Sequence, residues 1–242
     1  MPNEILRRIQ LPLFFVLAYG ITWATQIPAY IAAAERGETL SNEANVRHFL
    51  DLLRGDLDPG FLGIFLLFSF SFGPSLAGVI VIALVQGRAG LRELAVRATK
   101  VRIPARWMLA ITVIPFGLTV AGVALGYLLG GLVPIDYAFL VPLSLAGPFL
   151  IYLIIFTGLA EELGWRGYAL PELQRRYTAE RASWILGIGW GLWHLPSNIL
   201  MPLLAGQLTV PLAIASLLGL TLGIVGWTIV ITWIYNNTQS LF

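Results

Sequence analysis

The sequence predicts an all-α protein, a polytopic bundle of about six transmembrane helices. Its composition is the first reason: 57% of the 242 residues are hydrophobic and 12% are charged, against about 45–50% and 25% in soluble domains. The second reason is that the apolar residues form stretches of about 20, the length a helix needs to cross the hydrocarbon core. The polar segments between them are short, so we treat residues 1–242 as a single membrane domain.

Six predicted spans follow one another along the chain. The first apolar run exceeds the 7–15 residues typical of a signal peptide, so we expect it to remain in the membrane. Before the second span, a short amphipathic surface helix is predicted around Arg47 to Arg54, and His48 is expected to be solvated and outside the site. The spans are Leu11 to Ala34, Phe61 to Gln86, Trp107 to Val133, Val141 to Leu170, Ala182 to Leu204 and Pro211 to Tyr235.

Basic residues mark the N-terminus and every second connection. The positive-inside rule therefore predicts a cytoplasmic N-terminus, and arginine-rich loops fit a bacterial cell membrane. With a net charge of only +2, nucleic acid is not an expected partner; the lipid bilayer is. The basic residues on this side are Arg7, Arg8, Arg88, Arg92, Arg97, Lys100, Arg102, Arg106, Arg175, Arg176 and Arg181.

Glycines repeat at four-residue spacing in three predicted spans, which is typical of close packing between membrane helices. We expect them to serve packing and not chemistry. They are Gly122, Gly126 and Gly130, then Gly187 with Gly191, and Gly219 with Gly223.

Ionisable residues lie inside only two predicted spans. The fourth contains Glu161, Glu162 and Arg166, and the fifth contains His194. Such residues are costly within a membrane and are functional candidates by default. At 1.5 Å per residue, Glu161 and His194 reach a similar depth, and the short connection between their helices makes the two helices antiparallel neighbours.

The spacing of the residues within each helix predicts different roles for the two glutamates. Glu162 and Arg166 are four residues apart and are predicted to form an ion pair, which leaves Glu161 free as a general base. Trp190 lies one turn before His194 on the same face, and Pro196 is expected to open the helix near His194. Asn198 repeats the four-residue spacing after His194, and we interpret it as a packing or turn residue.

A carboxylate that activates water beside an imidazole can hydrolyse an amide or ester. The numbers and positions of the Cys, His, Asp and Ser residues exclude the other types of proteolytic site. The chain has no cysteine and two distant histidines, so a thiol nucleophile and a His-Glu-x-x-His zinc motif are absent. Every aspartate lies in a connection, and there is no Gly-x-Ser-Gly turn. A glutamate-based site remains.

These residues resemble the first two motifs of the CPBP family, which comprises type II CAAX prenyl proteases and bacteriocin-processing or immunity proteins. Glu161-Glu162-x-x-x-Arg166 resembles the first motif, and Trp190-x-x-x-His194 resembles the second, with Trp where Phe is more common. The resemblance is concentrated in residues 145–242. A third motif with a further His would fall beyond Phe242, so we expect the C-terminal part of the family core to be missing.

The resemblance implies an intramembrane endopeptidase that acts on a membrane-associated or peptide substrate near the cytoplasmic leaflet. Glu161 would activate water, Glu162 and Arg166 would orient it, and His194 would position the water or stabilise the oxyanion. We favour a metal-free site and leave a divalent metal such as zinc open. CAAX-type prenyl-protein processing is one form of this activity.

Two alternatives stay open. The first is a non-catalytic membrane protein of the same family that binds a bacteriocin and confers immunity, which the missing third motif favours. The second is a proton-coupled transporter that uses Glu161 and His194 as a relay, although no repeated halves are apparent in the sequence.

Overall fold

The structure is a computed structural model that describes residues 2–40, 42–100, 102–128 and 141–241. Within these residues the chain is helical and contains no strand. The helices are α1 (Pro2–Glu35), α2 (Asn42–Arg54), α3 (Pro59–Ser69), α4 (Gly73–Ala98), α5 (Ala105–Leu128), α6 (Leu143–Gln174), α7 (Ala179–Trp193), α8 (196–204) and α9 (Val210–Thr238).

Five helices are long and apolar enough to cross a membrane, namely α1, α4, α5, α6 and α9. They confirm the prediction of a helical membrane bundle. Their outward surfaces are rich in large apolar side chains, such as Phe116 and Leu128 on α5, as expected of helices that face lipid. The last part of the third predicted span, residues 129–133, lies outside the described residues.

The second predicted span, Phe61 to Gln86, is wrong. The chain breaks between Ser69 and Gly73, so α3 has only 11 residues and α4 begins a new helix. Pro74 lies in the first turn of α4, where its missing N–H costs no hydrogen bond and its ring favours a helix start. Helix α4 is kinked at Gly87, whose φ of 65° is not helical, so the predicted end of the span at Gln86 coincides with this kink. The helical segment beyond the kink, up to Ala98, carries basic residues that the sequence assigned to a connection.

The fifth predicted span is interrupted, as its proline predicts. Helix α7 ends at Trp193, His194 caps it, and α8 starts with a wide π turn at Pro196–Leu200. Proline lacks the N–H that would continue the regular hydrogen-bond pattern. The interruption therefore sits beside the one histidine predicted to belong to the site.

The predicted surface helix is confirmed as α2, which is longer than expected. Its buried Phe49 and Leu50 turn inward, and Phe49 joins a cluster with Phe65 of α3 and Met201 of α8. This cluster closes one end of the bundle. His48 on α2 is half-buried, its Nε2 lies 3.0 Å from the Thr39 carbonyl oxygen in an exposed position, and it does not line the cavity that contains Glu161 and His194.

A second, larger apolar cluster fills the other half of the bundle. It joins α1, α4, α6 and α7 around Trp165, which is fully buried. Close helix crossings support it: Gly164 of α6 packs directly on the backbone of Pro74 in α4. A Cβ at that position would meet backbone atoms, so only glycine allows this approach.

The predicted packing role of the glycines is confirmed for one pair. A Cβ on Gly187 would lie 2.7 Å from Val225 Cα, and one on Gly191 would lie 3.0 Å from Thr221 Cα, both on α9. For Gly219 and Gly223, as for Gly122 on α5, the described part of the chain offers no neighbour within 4 Å of such a Cβ. The prediction is wrong for these three within that part, and Gly130 lies outside the described residues.

We predict that Gly187→Ala weakens the contact between α7 and α9. The added methyl group meets the α9 backbone, and overpacking of this kind costs about 1–3 kcal/mol. Thermal unfolding of the purified chain in detergent should therefore occur at a lower temperature. The matched control is Gly223→Ala, whose Cβ meets open space on α9 and which should leave the unfolding temperature unchanged or slightly higher. Equal unfolding temperatures for the two variants would contradict this packing.

Candidate active site

The two adjacent glutamates occupy a short α-helical turn of α6 that is flanked by wide π turns. Residues Ala160–Gly164 form this turn, with π turns at Ile154–Leu159 and Trp165–Ala169. Wide turns shift the register of the side chains that follow and are frequent at functional sites. Glu161 and Glu162 line two different cavities, which confirms that they do not point at the same place.

Glu161 is buried and is held by two indole N–H groups. Its Oε2 accepts a hydrogen bond of 2.7 Å from Trp190 Nε1 on α7 and one of 3.3 Å from Trp165 Nε1 on its own helix. The predicted lateral contact between the two helices is thus present. Because both donors converge on Oε2, the second carboxylate oxygen is left for a ligand in the cavity.

Glu162 forms the predicted ion pair with Arg166. Its Oε1 lies 3.0 Å from Arg166 Nη1. The guanidinium carbon of Arg166 lies 4.3 Å from the centre of the Trp190 ring, a cation–π contact that stabilises a cation with few water neighbours. Trp190 therefore connects the two glutamates: its N–H binds Glu161, and its face supports the cation that pairs with Glu162.

His194 is half-buried where α7 ends, and its orientation is fixed by its own helix. Its Nδ1 lies 2.9 Å from the carbonyl oxygen of Trp190. A carbonyl oxygen only accepts hydrogen bonds, so Nδ1 carries the proton, and Nε2 of the neutral ring is an acceptor. The Trp193 ring packs edge-on against the imidazole at 4.7 Å.

Glu161 and His194 share one cavity of about 530 Å³, a size that suits a small ligand or a few residues of a peptide. Neutral polar groups and aromatic rings contribute most of its wall. The residues that line it are Gln26, Asn45, Val46, Phe68, Ser69, Ser71, Phe149, Tyr152, Leu153, Phe156, Thr157, Glu161, Trp193, His194, Ser197, Asn198 and Pro202.

Asn198 was predicted to be a packing or turn residue, but its side chain lines this cavity. Its Oδ1 accepts a hydrogen bond of 2.9 Å from Ser197 Oγ, which leaves the Nδ2 group as a donor. The His194-x-x-x-Asn198 spacing is the sequence signal that could have indicated this role. Trp165 could have been found in the same way, because it follows Glu161 by four residues.

Glu162 and Arg166 line a second, more apolar cavity of about 360 Å³ between α5 and α9. Arg166 is 1% exposed, and its Nε and Nη2 atoms have no hydrogen-bond partner among the described residues. The four predicted site residues are therefore brought together around Trp190, but they face two separate spaces.

The donor set in the described part of the chain does not fit a catalytic zinc site. Such a site uses three protein ligands and one open position. Glu161 and His194 are the two potential ligands of this kind that face the larger cavity, and Glu162 faces the other one. The described residues contain no cluster of three His, Cys, Asp or Glu side chains that could hold a metal ion.

Comparison with known proteins agrees with the motifs. Residues 142–242 match the family model described as "Type II CAAX prenyl endopeptidase Rce1-like". This segment is similar to that family. The match includes Glu161, Glu162, Arg166 and His194, and it confirms the predicted resemblance for this part of the chain. A protein named "CAAX prenyl protease 2" from Methanococcus maripaludis is 50% identical over 46 residues.

That alignment covers 19% of this chain and 17% of the relative, so the chain aligns with less than a fifth of the relative's length. No solved structure matches the chain. The first half of the chain, which includes α1 to α4, lies outside the Rce1-like segment and still contributes Gln26, Asn45 and Ser71 to the larger cavity.

We predict that Glu162→Gln destabilises the fold more than Glu161→Gln does. The first change leaves the buried Arg166 cation without its anion, which costs about 3 kcal/mol. The Glu161→Gln change removes the negative charge that accepts two hydrogen bonds from neutral indole N–H groups, and it leaves no unpaired charge. Thermal and denaturant unfolding in mixed micelles would measure the difference.

A double variant, Glu162→Gln with Arg166→Met, provides the control for this interpretation. It removes the cation together with its partner, so it should recover most of the lost stability. A double variant as unstable as Glu162→Gln alone would show that the unpaired charge is not the cause.

Proposed function

We propose that this chain is an intramembrane endopeptidase that hydrolyses a peptide bond with a water molecule activated by Glu161. The observation that carries the proposal is a buried carboxylate facing a cavity of about 530 Å³ with one oxygen fixed by two indole donors. The other oxygen is available to a water molecule. The Rce1-like match of residues 142–242 supports this class of reaction.

The residues around the cavity can divide the steps of hydrolysis among them. Glu161 takes a proton from the water as the water oxygen bonds to the substrate carbonyl carbon. His194 Nε2 accepts the second hydrogen bond of this water and orients it. The carbonyl oxygen gains negative charge, which the Nδ2 donor of Asn198 can stabilise. The C–N bond then breaks, and Glu161 returns the proton to the departing amine nitrogen.

These proposed steps give His194 one role instead of two possible ones. The resemblance implied either water positioning or oxyanion stabilisation. A neutral ring whose Nδ1 proton is donated to the Trp190 carbonyl presents only an acceptor to the cavity, and an oxyanion needs a donor. His194 is therefore proposed to position the water, and Asn198 to bind the oxyanion.

A prenylated C-terminal peptide is one candidate substrate, because the aligned relative is named a CAAX prenyl protease. The proposed chemistry acts on the peptide bond and needs no contact with the prenyl group. A panel of quenched-fluorescence peptides, with and without a farnesylated cysteine, would separate prenyl-dependent from general peptide cleavage.

We predict that Glu161→Gln lowers the rate of peptide cleavage at least 100-fold, the order of magnitude that a general base contributes. The amide can still accept a hydrogen bond from an indole, but it cannot take a proton from water. The assay is cleavage of the peptide panel by purified protein in detergent. Glu180→Gln, an exposed acid at the start of α7, is the matched control and should cleave normally.

The same variant distinguishes the enzyme from an immunity protein. If Glu161→Gln retained the full biological effect of the chain, such as protection of cells from a bacteriocin, then binding and not hydrolysis would be its function. Cleavage that persists in Glu161→Gln would overturn the assignment of the base.

We further predict that Trp190→Phe lowers kcat about tenfold and changes KM little. Phe keeps an aromatic ring beside Arg166 but lacks the N–H that holds Glu161 Oε2 at 2.7 Å. A hydrogen bond to a charged group contributes about 1.5 kcal/mol, which corresponds to a factor of about ten. The control is Trp184→Phe, on the exposed side of the same helix. A selective increase in KM would instead place Trp190 in substrate binding.

A further inference from the structure

Helix α1 lies outside the segment that matches the family model, yet it contacts both helices that carry the predicted site residues. Phe14 and Phe15 pack against the ring of Trp165 on α6, with ring centres 5.4 Å and 6.0 Å from it. Trp165 is one of the two indoles that bind Glu161. Further along its length, α1 reaches α7 through two hydrogen bonds.

These two hydrogen bonds join α1 and α7 in matching order. The Tyr19 hydroxyl donates a hydrogen bond to the carbonyl oxygen of Gly189. One helical turn later on both helices, Trp23 Nε1 donates a hydrogen bond of 2.9 Å to the carbonyl oxygen of Trp193. The two donor rings stack on each other with centres 5.1 Å apart, so each ring limits the movement of the other.

The two contacts differ in what they hold on α7. Gly189 lies in the regular part of α7, whereas Trp193 is its last residue. The carbonyl group of Trp193 and the N–H group of His194 belong to one peptide unit, which is planar. Trp23 holds the carbonyl edge of this unit, and on the other edge the N–H of His194 donates a hydrogen bond of 3.2 Å to the Gly191 carbonyl oxygen. The peptide unit before His194 is therefore held from both sides.

This arrangement leaves the Trp190 carbonyl oxygen for the His194 ring. In a regular α-helix the N–H of His194 would donate to Trp190, four residues earlier, but here it donates to Gly191. The Trp190 carbonyl oxygen lies 2.9 Å from Nδ1 of the ring instead. This bond determines which ring nitrogen carries the proton, so the state of the imidazole depends on the peptide unit that Trp23 holds.

We propose that Trp23 is a positioning residue of the active site and acts through His194. Its indole N–H fixes the peptide unit between Trp193 and His194, keeps the imidazole proton on Nδ1, and so leaves Nε2 as the acceptor. The effect on water and on catalysis rests on the proposed function. The effect on the orientation and the protonated nitrogen of His194 does not.

A merely structural contact between α1 and α7 makes a different prediction, and Tyr19 provides the comparison. Tyr19→Phe and Trp23→Phe each remove one hydrogen bond between the same two helices and keep an aromatic ring. Both should lower the unfolding temperature by a similar amount. Only Trp23→Phe removes the bond at the peptide unit that precedes His194.

The first measurement is the protonated nitrogen of His194. It is read by nitrogen NMR of the full chain in detergent micelles, with isotope-labelled histidine. The chain has two histidines, and the signals of His194 are those that disappear in His194→Asn. His48, which packs against Phe61 in the other apolar cluster, is the reference within the same spectrum.

We expect the native chain and Tyr19→Phe to hold the His194 proton on Nδ1. In Trp23→Phe the ratio of the two tautomers should shift about fivefold toward protonated Nε2, the factor that corresponds to one neutral hydrogen bond. The His48 signals should not change. An unchanged His194 spectrum in Trp23→Phe, or an equal shift in Tyr19→Phe, would overturn the proposal.

The second measurement is peptide cleavage by the same variants. Trp23→Phe should lower kcat about fivefold and change KM little, because a ring protonated on Nε2 no longer accepts a hydrogen bond from water at that atom. Tyr19→Phe should leave kcat close to the native value. Equal losses of kcat in the two variants, or a rise in KM with kcat unchanged, would show that Trp23 does not position His194 for the reaction.

The two measurements separate this proposal from the proposed function. A native chain that cleaves no peptide would contradict the proposed function, whereas the NMR experiment would still decide how His194 is held. If Trp23→Phe does not fold, a tryptophan analogue with sulfur in place of the indole N–H can be incorporated at position 23 alone. It removes the donor and keeps the ring shape, so the same shift in the His194 tautomers is expected, and its absence would overturn the proposal.

Discussion

A carboxylate inside an apolar bundle needs hydrogen-bond donors, and Glu161 obtains them from two indoles on two different helices. Trp165 comes from its own helix α6 and Trp190 from α7. Because Trp190 also supports the Arg166 cation with its ring face, one side chain determines the positions of both acids. This contact joins α6 and α7 at the depth of the two glutamates, and Glu161 and His194 line the larger cavity beside it.

The two glutamates have different electrostatic environments for this reason. Glu162 has a full cationic partner in Arg166, and the pair is close to neutral as a unit. Glu161 has only neutral donors, so its negative charge remains available to interact with a proton or a water molecule in the cavity. Adjacent residues on a helix point about 100° apart. For this reason Glu161 lines the larger cavity and Glu162 lines the other one.

Small residues and prolines make this arrangement possible in a membrane, where helices associate through close packing. Gly164 allows α6 to approach the start of α4 at Pro74, and Gly187 with Gly191 allows α7 to approach α9. Pro196 interrupts the helix just after His194. Both the imidazole of His194 and Asn198 line the cavity at this interruption. In a regular helix, the residues after His194 would point in different directions.

The sequence by itself determined the helical membrane fold, the pairing of Glu162 with Arg166, the position of Trp190 one turn from His194, and the break at Pro196. These features depend on composition and on spacing within one helix, which the order of residues specifies directly. The sequence did not indicate the break that divides Phe61 to Gln86, the hydrogen bond from Trp190 to Glu161, or the place of Asn198 on the cavity wall. Only the tertiary structure decided these, because contacts between helices depend on the rotation and depth of each helix, and residues distant in the sequence set both.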